Sequence, residues 1–317
     1  MANPSKNSDK GFRVPAWAQS FLTPGEHAEF TRLVSLELAR LDLPIDVDFL
    51  RGQAQVRHSG RAGGRINLIN LAQLCKIRPR PAWAVEIEQF FDGVRRTYLY
   101  PASILEQMER FEAVRSRLKV RLHPETYMDH LDAPLLVLRK IADGISALLV
   151  CDMGYANVSV PRAMAESWGK PLDEIFELAV GNVRAEGRLV ESHGAALGGP
   201  PVDLLGSESN YAATHLLFFG DYFQGGTAYG ALLGVPQRHV LVRHFIRDAR
   251  TIEAVRAVRM ITDDWYEQGP GAISRELYWW RPGKLERLEV RRVKGAIAVL
   301  PSEEFQDLVL ERILTGS

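Results

Sequence analysis

Cysteine is scarce in this chain. Its 317 residues include two, Cys75 and Cys151, which excludes a disulfide scaffold and predicts buried thiols in a reducing compartment. An excess of either charge is also missing: Lys plus Arg and Asp plus Glu both number 39, so the formal net charge is zero. A protein that coats nucleic acid by bulk charge is excluded, while a local basic patch stays open. No apolar run approaches the roughly 18 residues of a bilayer span. The opening MANPSKNSDKGFR lacks the apolar core of a secretory signal and predicts a disordered leader over residues 1–13. Several catalytic signatures are absent too: the phosphate-binding Gly-Lys-Ser/Thr loop, His-Glu-x-x-His, Cys-x-x-Cys and Gly-x-Ser-x-Gly. The expectation is a cytoplasmic globular protein with no membrane partner, no cofactor and no metal.

Hydrophobic periodicity supplies the positive content. Thr23-Pro24-Gly25-Glu26 reads as a capping box opening a helix whose apolar residues are Phe30, Leu33, Val34, Leu38 and Leu41. Ile45, Val47 and Phe49 alternate as a strand, with a return strand through Ala54 and Val56. Gly60 to Gly64 reads as a loop, and Trp83, Ile87, Phe90, Phe91 and Val94 mark a second long helix. A first α+β unit is predicted over residues 14–110 and a larger one over 111–317. The larger unit opens with a strand in which Leu118, Val120 and Leu122 alternate with charged residues. The segments Leu135–Ala142 and Ile145–Asp152 flank the turn pair Asp143-Gly144. A helix carries Ile175, Leu178, Ala179 and Val183. His193 to Pro201 and Gln224 to Pro236 read as loops around an apolar helix from Tyr211 to Tyr222. A strand from His239 to Arg247, a helix through Ile252–Trp265 and a hairpin about Pro282-Gly283 follow. Hairpins mixed with helices, without steady βαβ alternation, predict an α+β fold with mixed or antiparallel sheets.

The order of these segments resembles the YtpQ-like family of uncharacterised bacterial proteins. The resemblance is carried by Ile66-Asn67-Leu68-Ile69-Asn70-Leu71, by Pro171-Leu172-Asp173-Glu174 through Ala179 to Asn182, by Asn210-Tyr211-Ala212-Ala213, and by Ser274-Arg275-Glu276-Leu277-Tyr278. It implies a cytoplasmic bacterial protein and brings no activity with it.

The candidate site residues are Arg117, Lys119, Arg121 and His123, together with Asn182. With Arg115, the first four place cationic heads on one side of an extended segment, about 7 Å apart. Such a strip suits an acidic protein surface, or the phosphates of a nucleic acid, although no aromatic residue interleaves with it. Asn182 falls on the apolar face of its helix, where an amide must find partners. Cys151-Asp152 at a strand end could place a nucleophile. His123, Asp129, His130 and Asp132 gather metal-ligand residue types at a spacing that matches no site class. Gly225, Gly226, Gly230 and Gly234 could expose N–H groups to an anion. Three readings follow. The leading one is a non-catalytic protein-interaction or regulatory protein whose partner is a protein with an acidic surface. The second is an enzyme with a polar pocket near Asn182 and Cys151-Asp152. The third is a nucleic-acid binder using residues 115–123.

Overall fold

A computed structural model describes residues 14–41, 44–58, 61–99, 101–130, 135–195, 199–224, 228–293 and 296–315. The leader 1–13, Gly60, Asp132, Gly225 and Gly226 lie outside the described residues. The fold is α+β, and the chain divides into two compact units, residues 1–99 and 100–317.

In the first unit the capping box forms as its residue types require. The Thr23 N–H donates to Glu26 Oε2 at 2.8 Å and the Glu26 N–H donates to Thr23 Oγ1 at 3.3 Å. Helix α1 (Pro24–Leu41) then buries Phe30 and Val34 in a core shared with Trp83, Ile87 and Phe91 of α3 (Trp83–Leu99). Strands β1 (Ile45–Asp48), β2 (Gln53–His58) and β3 (Arg61–Asn67) form an antiparallel sheet in that order. Residues 61–64 are therefore strand where the glycines suggested a loop. Helix α2 (Leu68–Ile77) starts on Asn67, whose Oδ1 accepts the Ile69 N–H at 2.8 Å.

Glu26 links this cap to α2 through Lys76 Nζ at 2.9 Å. Burial raises its carboxyl pKa, but the Thr23 N–H and the Lys76 ammonium outweigh burial and hold it at about 2, down from 4.5. A carboxylate depressed in the folded state stabilises fully above its unfolded pKa and loses that effect as pH falls. The urea midpoint of the wild type is therefore expected to drop between pH 4.5 and 2. It should drop less steeply in Glu26→Gln; identical slopes would remove Glu26 from the acid response.

The second unit begins before the boundary read near residue 110. Helix α4 (Pro101–Met108) sends Ile104 and Met108 into the second core, and the Met108 carbonyl accepts Trp168 Nε1–H at 3.0 Å. After α5 (Phe111–Val114) come β4 (Leu118–Pro124), β5 (Leu138–Ala142), β6 (Ile145–Asp152) and β7 (Asn157–Ser159). The buried strand β6 is central. Strand β4 lies on one edge of it, with β5 and β7 sharing the other. Gly144 turns the β5–β6 hairpin at φ +87°, a conformation that suits glycine. Helix α6 (Arg162–Ser167) leads to α7 (Leu172–Arg184), whose Ile175, Phe176, Ala179 and Val183 are buried in the same core as β4.

The larger sheet holds β8 (Val190–Ala195), β9 (Pro201–Gly206), β10 (Ala231–Gln237), β11 (Val240–Phe245), β12 (Leu277–Arg281), β13 (Lys284–Val293) and β14 (Ala296–Leu300). It is antiparallel, in the order β14-β13-β12-β10-β11-β9-β8. One face adds Leu205, Leu233, Leu241 and Tyr278 to the core of the smaller sheet. The other packs Leu232, Val242 and Trp279 with Ala254, Val255 and Val258 of α8 (Thr251–Gln268). Residues 212–222 form the apolar helical segment expected there, as a 3-10 helix kinked at Phe218. Among the described residues no helix is long and apolar enough to cross a membrane.

Strands shorten two predicted loops. Strand β8 takes residues 193–195 of the stretch read as a loop from His193 to Pro201, β9 begins at Pro201, and β10 takes residues 231–236 of the Gly-rich stretch and ends on Gln237. The glycine and proline in β10 serve the sheet. A Cβ at Gly234 would stand 2.1 Å from Thr262 Oγ1, so α8 sits close only because that atom is missing. Pro236 falls where the β10–β11 register shifts, a place where a missing N–H is tolerated.

Candidate functional site

Strand β4 alternates as its sequence demands: Leu118, Val120 and Leu122 are buried, and Lys119, Arg121 and His123 take the opposite face. The basic strip is shorter and more enclosed than the pattern suggested. Arg115 and Arg117 belong to a 3-10 turn before the strand, so they do not extend its cationic face. Arg115 pairs with Glu112 at 3.1 Å, and Arg117 Nη2 donates to the Ala113 carbonyl at 3.4 Å. The Lys119 side chain is 12% exposed and its Nζ meets Glu186 at 2.7 Å, so its charge is already matched. The face from Lys119 to His123 is half-buried.

The 3-10 helix and the turn between β10 and β11 close over the β4 edge. Thr214 Oγ1–H donates to the Val120 carbonyl at 2.8 Å, and the Ala213 N–H donates to the Arg238 carbonyl at 2.9 Å. These contacts bring Arg238 and His239 to Arg121 and His123. Arg238 Nε–H donates to His239 Nε2 at 3.0 Å, and His239 Nδ1–H donates to the Ser209 carbonyl at 3.0 Å. Both ring nitrogens of His239 are thus committed with the imidazole neutral.

Arg121 stands differently. Its Nε is sealed from solvent and has no hydrogen-bond partner among the described residues. Burial lowers its pKa, and the nearby Tyr127, Tyr211 and Asp152 oppose that only in part. Burial, reinforced by the charge of Arg121, pushes Arg238 down to about 9. His239 is pushed down to about 4, by burial first and Arg238 second. His123 lies well below its ordinary value through burial and the two guanidinium charges. Both imidazoles are therefore uncharged at neutral pH. His123 stacks on Tyr127 with ring centroids 4.4 Å apart and planes 14° from parallel.

Two carboxylates act on the cluster, Asp152 on Arg121 and Glu208 on His239. Asp152 Oδ2 accepts the Tyr211 hydroxyl at 2.9 Å and Oδ1 accepts the Gly154 N–H at 2.8 Å. Tyr211 also hydrogen-bonds Asn157 Oδ1. The two guanidiniums are close enough that Arg121 depresses the pKa of Arg238 by repulsion. Arginine forks match carboxylate and phosphate oxygens, so the arrangement can hold an oxyanion.

Asn182 serves the framework of this site. Its Nδ2 donates to the Arg115 carbonyl at 2.7 Å and the Leu118 carbonyl at 2.8 Å, and its own carbonyl accepts Lys119 Nζ–H at 3.1 Å. It is half-buried and bridges α7 to the start of β4, so both amide hydrogens are committed to backbone. Cys151 faces the core, and burial pushes its thiol up to about 11, which leaves little thiolate for nucleophilic attack. Asp152, by contrast, does join Arg121. Among the described residues no three His, Cys, Asp or Glu side chains gather to hold a metal. Gly230 is a turn residue, φ +84°, whose Cβ would strike the Trp280 carbonyl; like Gly234 it shapes the sheet.

Sequence reasoning reached Arg121, His123 and Asp152 and missed Arg238, His239, Tyr211 and Tyr127 as site members. The available signal was Arg238-His239, a basic pair at the turn between two apolar strands. The first unit has a groove of about 560 Å³ lined by His27, Thr31, Arg32, Phe49 and Leu50 among others. Its cation, Arg32, is tied to Glu29 at 2.8 Å, so converging uncompensated charge lies elsewhere. No family model matches the chain, and no curated protein or solved structure is significantly similar to it.

Proposed function

We propose that this chain is a non-catalytic, cytoplasmic regulatory protein that binds a ligand through one oxyanion group seated between Arg121 and Arg238. The observation that carries the reading is the buried Arg121 Nε, a charged donor left without an acceptor beside a second guanidinium. Leaving such a donor unsatisfied costs about 1–3 kcal/mol, which an arriving anion recovers. An enclosed point of this kind suits a single acid group better than the broad acidic protein surface expected for an exposed strip. Tracking of nucleic acid is disfavoured, because Arg115 and Lys119 already hold Glu112 and Glu186. Catalysis is disfavoured by chemistry: burial raises the pKa of both Cys151 and Tyr211, which weakens one as a nucleophile and the other as an acid.

The test is thermal unfolding with acetate, phosphate and sulfate. Saturation at a hundredfold excess over the dissociation constant stabilises by about 2.7 kcal/mol. Anions also stabilise proteins generally by exclusion, so the comparison between variants decides. The wild type and Arg115→Gln are expected to shift alike, and Arg238→Gln to lose the saturable part. A response equal in all three proteins would remove the site.

A further inference from the structure

We infer that the oxyanion seated at Arg121 and Arg238 is carried on a flat ring, and that the ring lies on the His123–Tyr127 stack: the ligand class is a small aromatic acid. This rests on the anion-binding reading above and adds the part of the ligand that gives it specificity.

Three observations converge. Arg121 and His123 are two residues apart on one strand face, a separation of about 7 Å, which a six-membered ring with one attached acid group bridges. Next, the imidazole of His123 and the phenol of Tyr127 are already stacked at 4.4 Å and 14°, and Tyr127 is 40% exposed. Tyr127 sits in the 3-10 turn that follows β4 directly, so strand and turn hold the aromatic plate beside the guanidinium. A π-face presented this way takes another flat ring in offset stacking. Last, the charges favour an acid: the guanidiniums of Arg121 and Arg238 are close enough to repel one another, and both imidazoles are neutral.

The experiment measures dissociation constants by calorimetry for two probe pairs, benzoate with acetate and phenyl phosphate with inorganic phosphate. In each pair only the ring differs. In at least one pair the ring-bearing probe is expected to bind about tenfold tighter, the equivalent of one well-formed stack. Success of benzoate alone would assign the acid group as carboxylate, and success of phenyl phosphate alone would assign it as phosphate. The advantage should vanish in Tyr127→Ala and persist in Tyr127→Phe, which keeps the plate. Matched unfolding midpoints establish that both variants fold. If the ring adds nothing, or its advantage survives Tyr127→Ala, the ring is overturned while anion binding at Arg238 stands. If none of the four probes binds the wild type, the anion-binding reading itself falls and this inference falls with it.

Discussion

Arg243→Ala is expected to lower the unfolding free energy by about 3–5 kcal/mol, the cost of removing one partner from a buried ionic network. Arg243 is 3% exposed on β11 and stands opposite Asp203 of β9 in the strand register. Its Nε and Nη2 donate to Asp203 Oδ2 at 2.9 and 2.7 Å. Its Nη2 also reaches Glu191 of β8 at 2.7 Å, and Nη1 donates to the Tyr222 carbonyl at 2.9 Å. His193, opposite Asp203 on β8, takes the remaining Asp203 oxygen at 2.8 Å. Truncation removes four hydrogen bonds and strands the Asp203 carboxylate, 8% exposed, beside an orphaned Tyr222 carbonyl. Arg243→Lys keeps the charge but loses the fork, so an intermediate loss is expected. The double variant Arg243→Met, Asp203→Asn should recover much of the loss, because the uncompensated charge goes with its partner. Urea unfolding monitored by circular dichroism reads all three. An Arg243→Ala loss below about 1 kcal/mol would mean that solvent reaches this network freely.

Arg243 and Arg121 differ in a way their sequence contexts hide. Both are arginines on strands with apolar neighbours, yet one has its fork filled by Asp203 and Glu191 while the other has a buried Nε without an acceptor. Alternation along β4 was enough to put Lys119, Arg121 and His123 on one face. It could not show that residues about ninety positions away would roof that face. The Thr214–Val120 and Ala213–Arg238 hydrogen bonds do so, and they are tertiary events without a local signature. Local chemistry was legible wherever a short segment settles its own structure: the Thr23–Glu26 capping box, the Asp143-Gly144 hairpin, and the apolar stripe of α7. It failed where a residue's role is set by its neighbour across space. Gly234 reads as a loop residue, and it is glycine because Thr262 occupies the room a side chain would need. Strand β8 carries Ser, His and Gly because it is a sheet edge, and so it lacks the apolar alternation that betrays a strand. Asn182 was legible as a residue needing partners. Its partners, the Arg115 and Leu118 carbonyls, were visible only once α7 and β4 had packed.

Arg121→Met is expected to move stability and binding in opposite directions, and that opposition identifies a residue kept for a ligand. The guanidinium is partly desolvated. Burial depresses its pKa, so folding disfavours its charged form, and its Nε has no acceptor. Methionine preserves most of the unbranched volume and removes both costs. Replacing a poorly compensated buried ion with an apolar side chain typically stabilises by about 1–4 kcal/mol, and the lower half of that range is expected here because the side chain is only half-buried. The repulsion felt by Arg238 also falls, since the charge of Arg121 is one of the influences that push its pKa down. Oxyanion binding should nevertheless be lost, because the acid group then has one guanidinium, Arg238, in place of two. The measurement pairs an unfolding curve without anion with a benzoate titration of the same protein. A higher midpoint with no detectable binding is the expected result. A lower midpoint would show that Arg121 holds the fold together as Arg243 does. Benzoate binding that survives in the more stable variant would place the anion away from β4. The contrast with Arg243 is the useful control: there truncation costs stability because all three guanidinium nitrogens donate to buried or half-buried acceptors, whereas at Arg121 the unmatched donor makes removal favourable until a ligand supplies the missing acceptor.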